Sequence, residues 1–91
     1  MTDDEYAKAV DELLARAVAL FKDSRGNLGK LQTAIERYLE EGDALEMSPL
    51  ELRDYFDISS PGLPEQAGFS AEELGPASEL FDKVSAARYD T

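Results

Sequence analysis

The sequence predicts an all-α fold: a small bundle of four main helices plus a one-turn helix, in a single domain spanning residues 1–91. Three observations predict it. Apolar residues recur at spacings of three and four in separate segments, the pattern of one buried helix face. No segment sustains the period of two that a half-buried strand requires. Helix starts are signalled by Ser or Thr with Glu three residues later, at Thr2–Glu5, Ser48–Glu51 and Ser70–Glu73.

The first helix follows Thr2. Tyr6, Val10, Leu13, Ala17 and Leu20 form its stripe, widened by Leu14 and Phe21. Asp3, Asp4 and Glu5 complement the positive end of its dipole, and Glu12 and Arg16 are placed for an i, i+4 pair. The second helix carries Leu28, Leu31, Ile35, Tyr38 and Leu39, and Gly42 reads as its stop. These two pair as an antiparallel hairpin across Ser24–Asn27. The third opens with Ser48 as N-cap and Pro49 at the first position, where a missing N–H does no harm. Leu52, Tyr55 and Phe56 share one side of it. Residues 57–69 hold two prolines, two glycines and two serines, which predicts an ordered Pro/Gly loop, pinned by Ile58, Leu63 and Phe69. A one-turn helix follows Ser70. Gly75–Pro76 then breaks the chain, and Pro76 opens the last helix with Ala77, Leu80, Phe81 and Val84 as its stripe and Tyr89 near its end.

Composition narrows the function. The chain has no cysteine, which excludes disulfides and thiolate chemistry and suits a cytoplasmic location. It has no histidine, the commonest general base and metal ligand. No Gly-x-Ser-x-Gly elbow is present. We therefore expect no enzyme activity, no cofactor and no metal site; the carboxylates of Glu40, Glu41, Asp43 and Glu46 lie on or beside one helix and point apart. No apolar run approaches the roughly 18 residues of a membrane span, and no leader-like segment opens the chain, so no membrane association is expected.

Twenty acids oppose nine bases, a net charge of −11. The imbalance is uneven: residues 1–30 hold six acids and five bases, residues 31–91 fourteen and four. Such a field repels nucleic acid over most of the surface and attracts basic proteins. The plainer alternative is that the acidity simply aids solubility or reflects a salty habitat.

The stretch "DSRGNLGKLQ" places Arg25 and Lys30 around Gly26 and Gly29. A Walker A loop needs four residues between its first glycine and the Gly-Lys pair, then a hydroxyl. Here two residues intervene, and Leu31 replaces the hydroxyl. Over Gly26–Lys30 the stretch resembles the Gly-x-x-Gly clamp of KH domains, which implies phosphate contact and a three-stranded sheet. No strand candidate flanks it. The simplest reading is a corner: Gly26 ends the first helix, Asn27 caps the second, and Gly29 permits close packing. Arg25 and Lys30 remain candidates for contact with an anion at the helix start. Ser48, Pro49, Glu51, Ala87, Arg88 and Tyr89 resemble the ends of the soluble tail domain of bacterial transglutaminase-like membrane proteins. That resemblance implies docking and no chemistry, and two short motifs do not carry it further.

The expected function is thus a non-catalytic protein–protein interaction module, an adaptor or regulatory subunit. Leu50, Tyr55, Ile58, Leu63 and Phe69, with Asp54, Asp57 and Glu65 around them, form the candidate patch for a basic partner protein. The equal alternative buries the apolar members, with Phe56, in the core. Two rival functions are an acidic mimic that occupies the nucleic-acid site of a DNA- or RNA-binding protein, and self-association into a homodimer through the first helix, whose spacing suits a helical seam.

Overall fold

Thr2 accepts a hydrogen bond from the Glu5 amide at 3.2 Å, and from that cap the first helix runs without interruption. The computed structural model describes residues 2–89. Helix α1 spans Asp3–Asp23, α2 Leu28–Ala44, α3 Pro49–Arg53 and α4 Leu63–Gln66, and α5 spans Ala71–Tyr89. A π-helical turn, Asp54–Ile58, continues α3, so the third helix reads as one element of Pro49 to Ile58. No strand occurs among the described residues. The architecture is the all-α bundle of four main helices and a one-turn helix.

The caps follow the sequence. Asn27 accepts from the Lys30 amide at 3.0 Å and Ser48 from the Glu51 amide at 3.1 Å. Ser70 and Glu73 bond reciprocally, side chain to amide, at 3.1 and 3.3 Å. Each satisfies donors that a helix start otherwise leaves unpaired.

Three expectations need correction. Gly42 is not a stop. The second helix continues to Ala44, and Gly42 is buried where an added Cβ would collide with the Leu52 side chain, so glycine is there for close approach of α3. The stop lies later, at Glu46, whose φ is 62°. Its amide bonds to the Asp43 carbonyl at 2.9 Å and the Met47 amide to that of Gly42 at 3.0 Å, the paired bonds of a Schellman motif. Second, Gly75–Pro76 does not break the chain: α5 runs through Pro76, and the Ser70 start belongs to this long helix. Pro76 has no N–H for the Glu72 carbonyl, yet Gly75 lacks the Cβ that a following proline ring would strike, so the helical conformation survives. Third, the one-turn helix lies instead at Leu63–Gln66, inside the predicted loop. Gly68, with φ 90°, ends it with a second Schellman pair, Gly68 to Glu65 and Phe69 to Pro64, both 3.0 Å.

Gly29 also differs from expectation. The residue is exposed, with only Asn27 Oδ1 near its missing Cβ, so it packs against nothing.

The core lies between α1 and α2, with α5 packed on α2, α4 on α1, and the third helix closing over them. Val10, Leu13, Ala17 and Phe21 bury the α1 stripe against Leu31, Ile35, Tyr38 and Leu39 of α2. Phe56 stacks on Phe81 with ring centroids 4.2 Å apart and meets Phe21 edge-on at 5.6 Å. This aromatic row joins α1, the third helix and α5. The Tyr38 hydroxyl donates to the Leu52 carbonyl at 2.7 Å, just before the ladder widens to the i→i+5 bond from Ser59 to Asp54.

Candidate functional site

The glycine corner closes on itself. Gly26 takes φ 79°, as a helix end asks. Arg25 is exposed but already paired. Its guanidinium grips Glu73 with both carboxylate oxygens, Nη2–Oε1 at 2.8 Å and Nε–Oε2 at 3.2 Å, and Nη1 lies 3.4 Å from where a Cβ on Gly68 would stand. The bidentate pair, helped by the Ser70 amide, holds the Glu73 carboxyl down to about 2. The expectation of an anion contact at Arg25 is therefore replaced by a clamp between the α1–α2 corner and the start of α5. Lys30 is exposed and makes no ion pair among the described residues. Without a sheet beside it, the corner lacks the setting of a KH clamp.

The candidate patch divides in two. Leu63 and Phe69 are core residues, as is Phe56, so they are corrected out of the surface set. Leu50 and Ile58 remain 67% and 66% exposed and Tyr55 36%. The division follows from the helix itself. Leu52 and Phe56 point inward, so Leu50, Asp54 and Ile58, at steps of four, line the outward side. Around them Glu51 and Asp57 are exposed and Asp54 half-buried; Glu65 is exposed on α4. Asp57 is partly engaged, 3.8 Å from Arg53 and accepting from Ser78 at 3.3 Å. Arg53 also pairs with Asp82 at 2.7 Å, which fastens the third helix to α5.

A fourth exposed apolar residue, Leu28, stands apart at the corner, over a groove formed with Leu31, Phe69, Pro76 and Ala77. The α1 stripe is turned into the core, with Leu14, Val18 and Leu20 half-buried at its edges.

Sequence reasoning missed the far end of the molecule. There Tyr6 and Leu45 are half-buried beside Asp3 and Glu46 in one groove. The Tyr6 phenol is pushed up, first by burial and then by the Glu51 carboxylate and the Tyr55 hydroxyl. The spacing of Tyr6 gave its membership of the α1 stripe but not its neighbours, which come from chain segments some forty residues away. It also missed Asp43, whose carboxylate accepts from Arg88 at 2.7 Å and from the Tyr89 hydroxyl at 2.9 Å, tying the end of α5 to α2.

Compared with models of protein families, with curated proteins and with solved structures, the chain matches none of them. No helix among the described residues is long and apolar enough to cross a membrane. The fold and site define a class, the small acidic helical bundle with a partly apolar outer helix.

Proposed function

We propose that this chain is a non-catalytic interaction module that docks the outer side of its third helix onto a protein with a basic surface. Leu50, Tyr55 and Ile58 make the apolar centre, and Glu51, Asp54, Asp57 and Glu65 the acidic rim. One observation carries the reading: two large aliphatic side chains, Leu50 and Ile58, stay about two-thirds exposed on a helix that buries Leu52 and Phe56. Isolated exposed apolar residues are ordinary, but aligned ones ringed by acidic side chains suit a docking patch with a polar rim. The chain's excess of acids favours a basic partner through steering and complementarity.

The test is capture with the intact chain and with a Leu50→Asp, Ile58→Asp double variant, both checked for helical content and cooperative unfolding. A basic protein held by the intact chain, lost in the variant and weakened by added salt, supports the reading. Equal capture by both forms overturns it. A captured nucleic-acid-binding protein that is released by competing DNA, with no dependence on Leu50 or Ile58, gives the acidic-mimic function instead. Light scattering that gives a stable dimer dissociated by the double variant assigns the patch to a second copy.

A further inference from the structure

A furrow runs between α2 and α5, which pack side by side and point the same way. The Arg25–Glu73 pair stands at one end of it and the Arg88–Asp43 pair at the other. Two cavities, of about 400 and 380 Å³, follow each other along its length. The first has an apolar floor of Leu31, Phe69 and Ala77, with Leu28 and Pro76 exposed at its lips. The second has Val84 on its floor and the exposed Ala87 beside it. Leu28 is the one member of the α2 stripe that the core leaves out, and it is 63% exposed. Along the same edge Leu28, Gln32, Glu36 and Glu40 step by four and are all exposed, which makes them one ridge. That ridge is roughly 18 Å long, about three turns of helix.

We propose that this furrow is a second docking surface, and that its occupant is an amphipathic helix of about three turns with a basic polar face. The guest lays its apolar side over Leu28, Pro76 and Val84. The furrow shares no residue with the third-helix patch, so the proposal goes beyond the function given to that patch. The form of the guest follows from the walls. Both are helices whose backbone groups bond within themselves, and no strand edge is offered among the described residues. A guest must satisfy its own backbone there, which a helix does and an extended segment does not. Its side chains fit between two adjacent helices as a ridge fits a groove. Charge sets its sign. Glu36 and Glu40 on the α2 edge and Glu72 on the α5 edge make no ion pair among the described residues, and Lys83 is the only base lining the furrow that is not bound to a carboxylate. The acids lie mainly on the α2 side, so the guest turns its lysines or arginines toward α2. A second copy of the chain, with its net charge of −11, meets repulsion here instead.

The test titrates the full-length, isotope-labelled chain with an end-capped peptide of about fourteen residues, built from leucine, lysine and alanine with its leucines three and four apart. Backbone amide signals are followed by NMR. The expected result is saturable movement along Leu28, Gln32, Glu36, Ala77 and Ala87. A peptide of the same composition with its leucines scattered binds several-fold more weakly, and one with glutamate in place of lysine does not bind. Leu28→Asn weakens the aligned peptide by about tenfold, and the Glu36→Gln, Glu40→Gln double variant by about threefold. Ala87→Lys, on the opposite wall, weakens it as well by bulk and charge. All four positions are exposed, and the map obtained with the unaltered chain decides the question even if a variant folds poorly. Equal binding of the aligned and scattered peptides, or no saturable movement, overturns the proposal. Movement centred on Leu50, Tyr55 and Ile58 also overturns it while favouring the third-helix function, so the two readings fail separately. Furrow signals that move with protein concentration alone, together with a dimer in light scattering, assign the furrow to a second copy and overturn the proposal too.

Discussion

Arg25 and Glu73, 48 residues apart in the chain, meet through two hydrogen bonds of 2.8 and 3.2 Å. The same Glu73 carboxylate accepts the Ser70 amide at 3.1 Å and so caps α5 while it is held by the α1–α2 corner. One side chain thereby couples a helix start to a distant turn.

That coupling has a pH signature. The Glu73 carboxyl is lowered from 4.5 to about 2, chiefly by the Arg25 hydrogen bond. A carboxylate with a depressed folded-state pKa stabilises fully above its ordinary pKa, and its contribution disappears as pH falls through the folded value. Glu73→Gln should therefore lower the urea midpoint at neutral pH, and the deficit should shrink from about pH 4.5 and vanish near pH 2. Lys30→Ala, at the same corner without an ion pair, should leave the midpoint unchanged at every pH. A deficit for Glu73→Gln that persists unchanged at pH 2 contradicts the clamp.

Two Schellman ends differ in one respect, Gly68 at one and Glu46 at the other, with φ of 90° and 62°. A side chain in this region costs about 1 kcal/mol relative to glycine. Glu46→Gly should raise stability by about 1 kcal/mol and Gly68→Ala should lower it by about as much, read from denaturant curves. A Glu46→Gly chain no more stable than the original would mean that the left-handed backbone of Glu46 carries no strain.

The parts legible in the sequence are those that local physics decides. Thr2, Asn27, Ser48 and Ser70 each cap the helix that their position announces. The stripes of α1 and α2 are buried as their period requires. Gly42 misled because a glycine near a helix end reads as a stop, and only the approach of Leu52 reveals its other use. The patch could not be divided in advance. Leu50 and Leu63 look alike as letters, and which is buried depends on how the third helix and the one-turn helix lie across α1 and α5. The groove at Tyr6 joins the start of α1 to the end of α2, two segments distant in sequence, so no spacing announces it.

Tyr38 carries the most consequential buried hydrogen bond, 2.7 Å to the Leu52 carbonyl. Burial pushes its phenol up, so the hydroxyl remains a donor throughout the accessible pH range. Tyr38→Phe removes the donor and leaves a buried carbonyl unsatisfied next to the π-helical turn. The expected loss is about 1–3 kcal/mol, with little change in helical content. Amide exchange should rise first in the third helix, since that bond steadies its widened turn; exchange rising first at α1 would place the stabilising role elsewhere.

Pro76 in the sixth position of α5 supplies the sharpest test of how local rules bend. A proline inside a helix costs about 3 kcal/mol relative to alanine, partly offset here because its ring also restricts the unfolded chain. Pro76→Ala should therefore stabilise by about 1–2 kcal/mol. Gly75→Ala alone should not realise alanine's helical advantage of about 1 kcal/mol, because the new Cβ meets the proline ring behind it. Apart from its chain neighbours and the helix's own nearby backbone, no atom lies within 4 Å of that Cβ position, which leaves Pro76 as the obstacle. In the Pro76→Ala background the same Gly75→Ala change should gain its full increment. The two substitutions are thus non-additive, and a double-mutant cycle in denaturant measures the coupling. Strict additivity would mean that Gly75 is not what allows the helix to pass through Pro76.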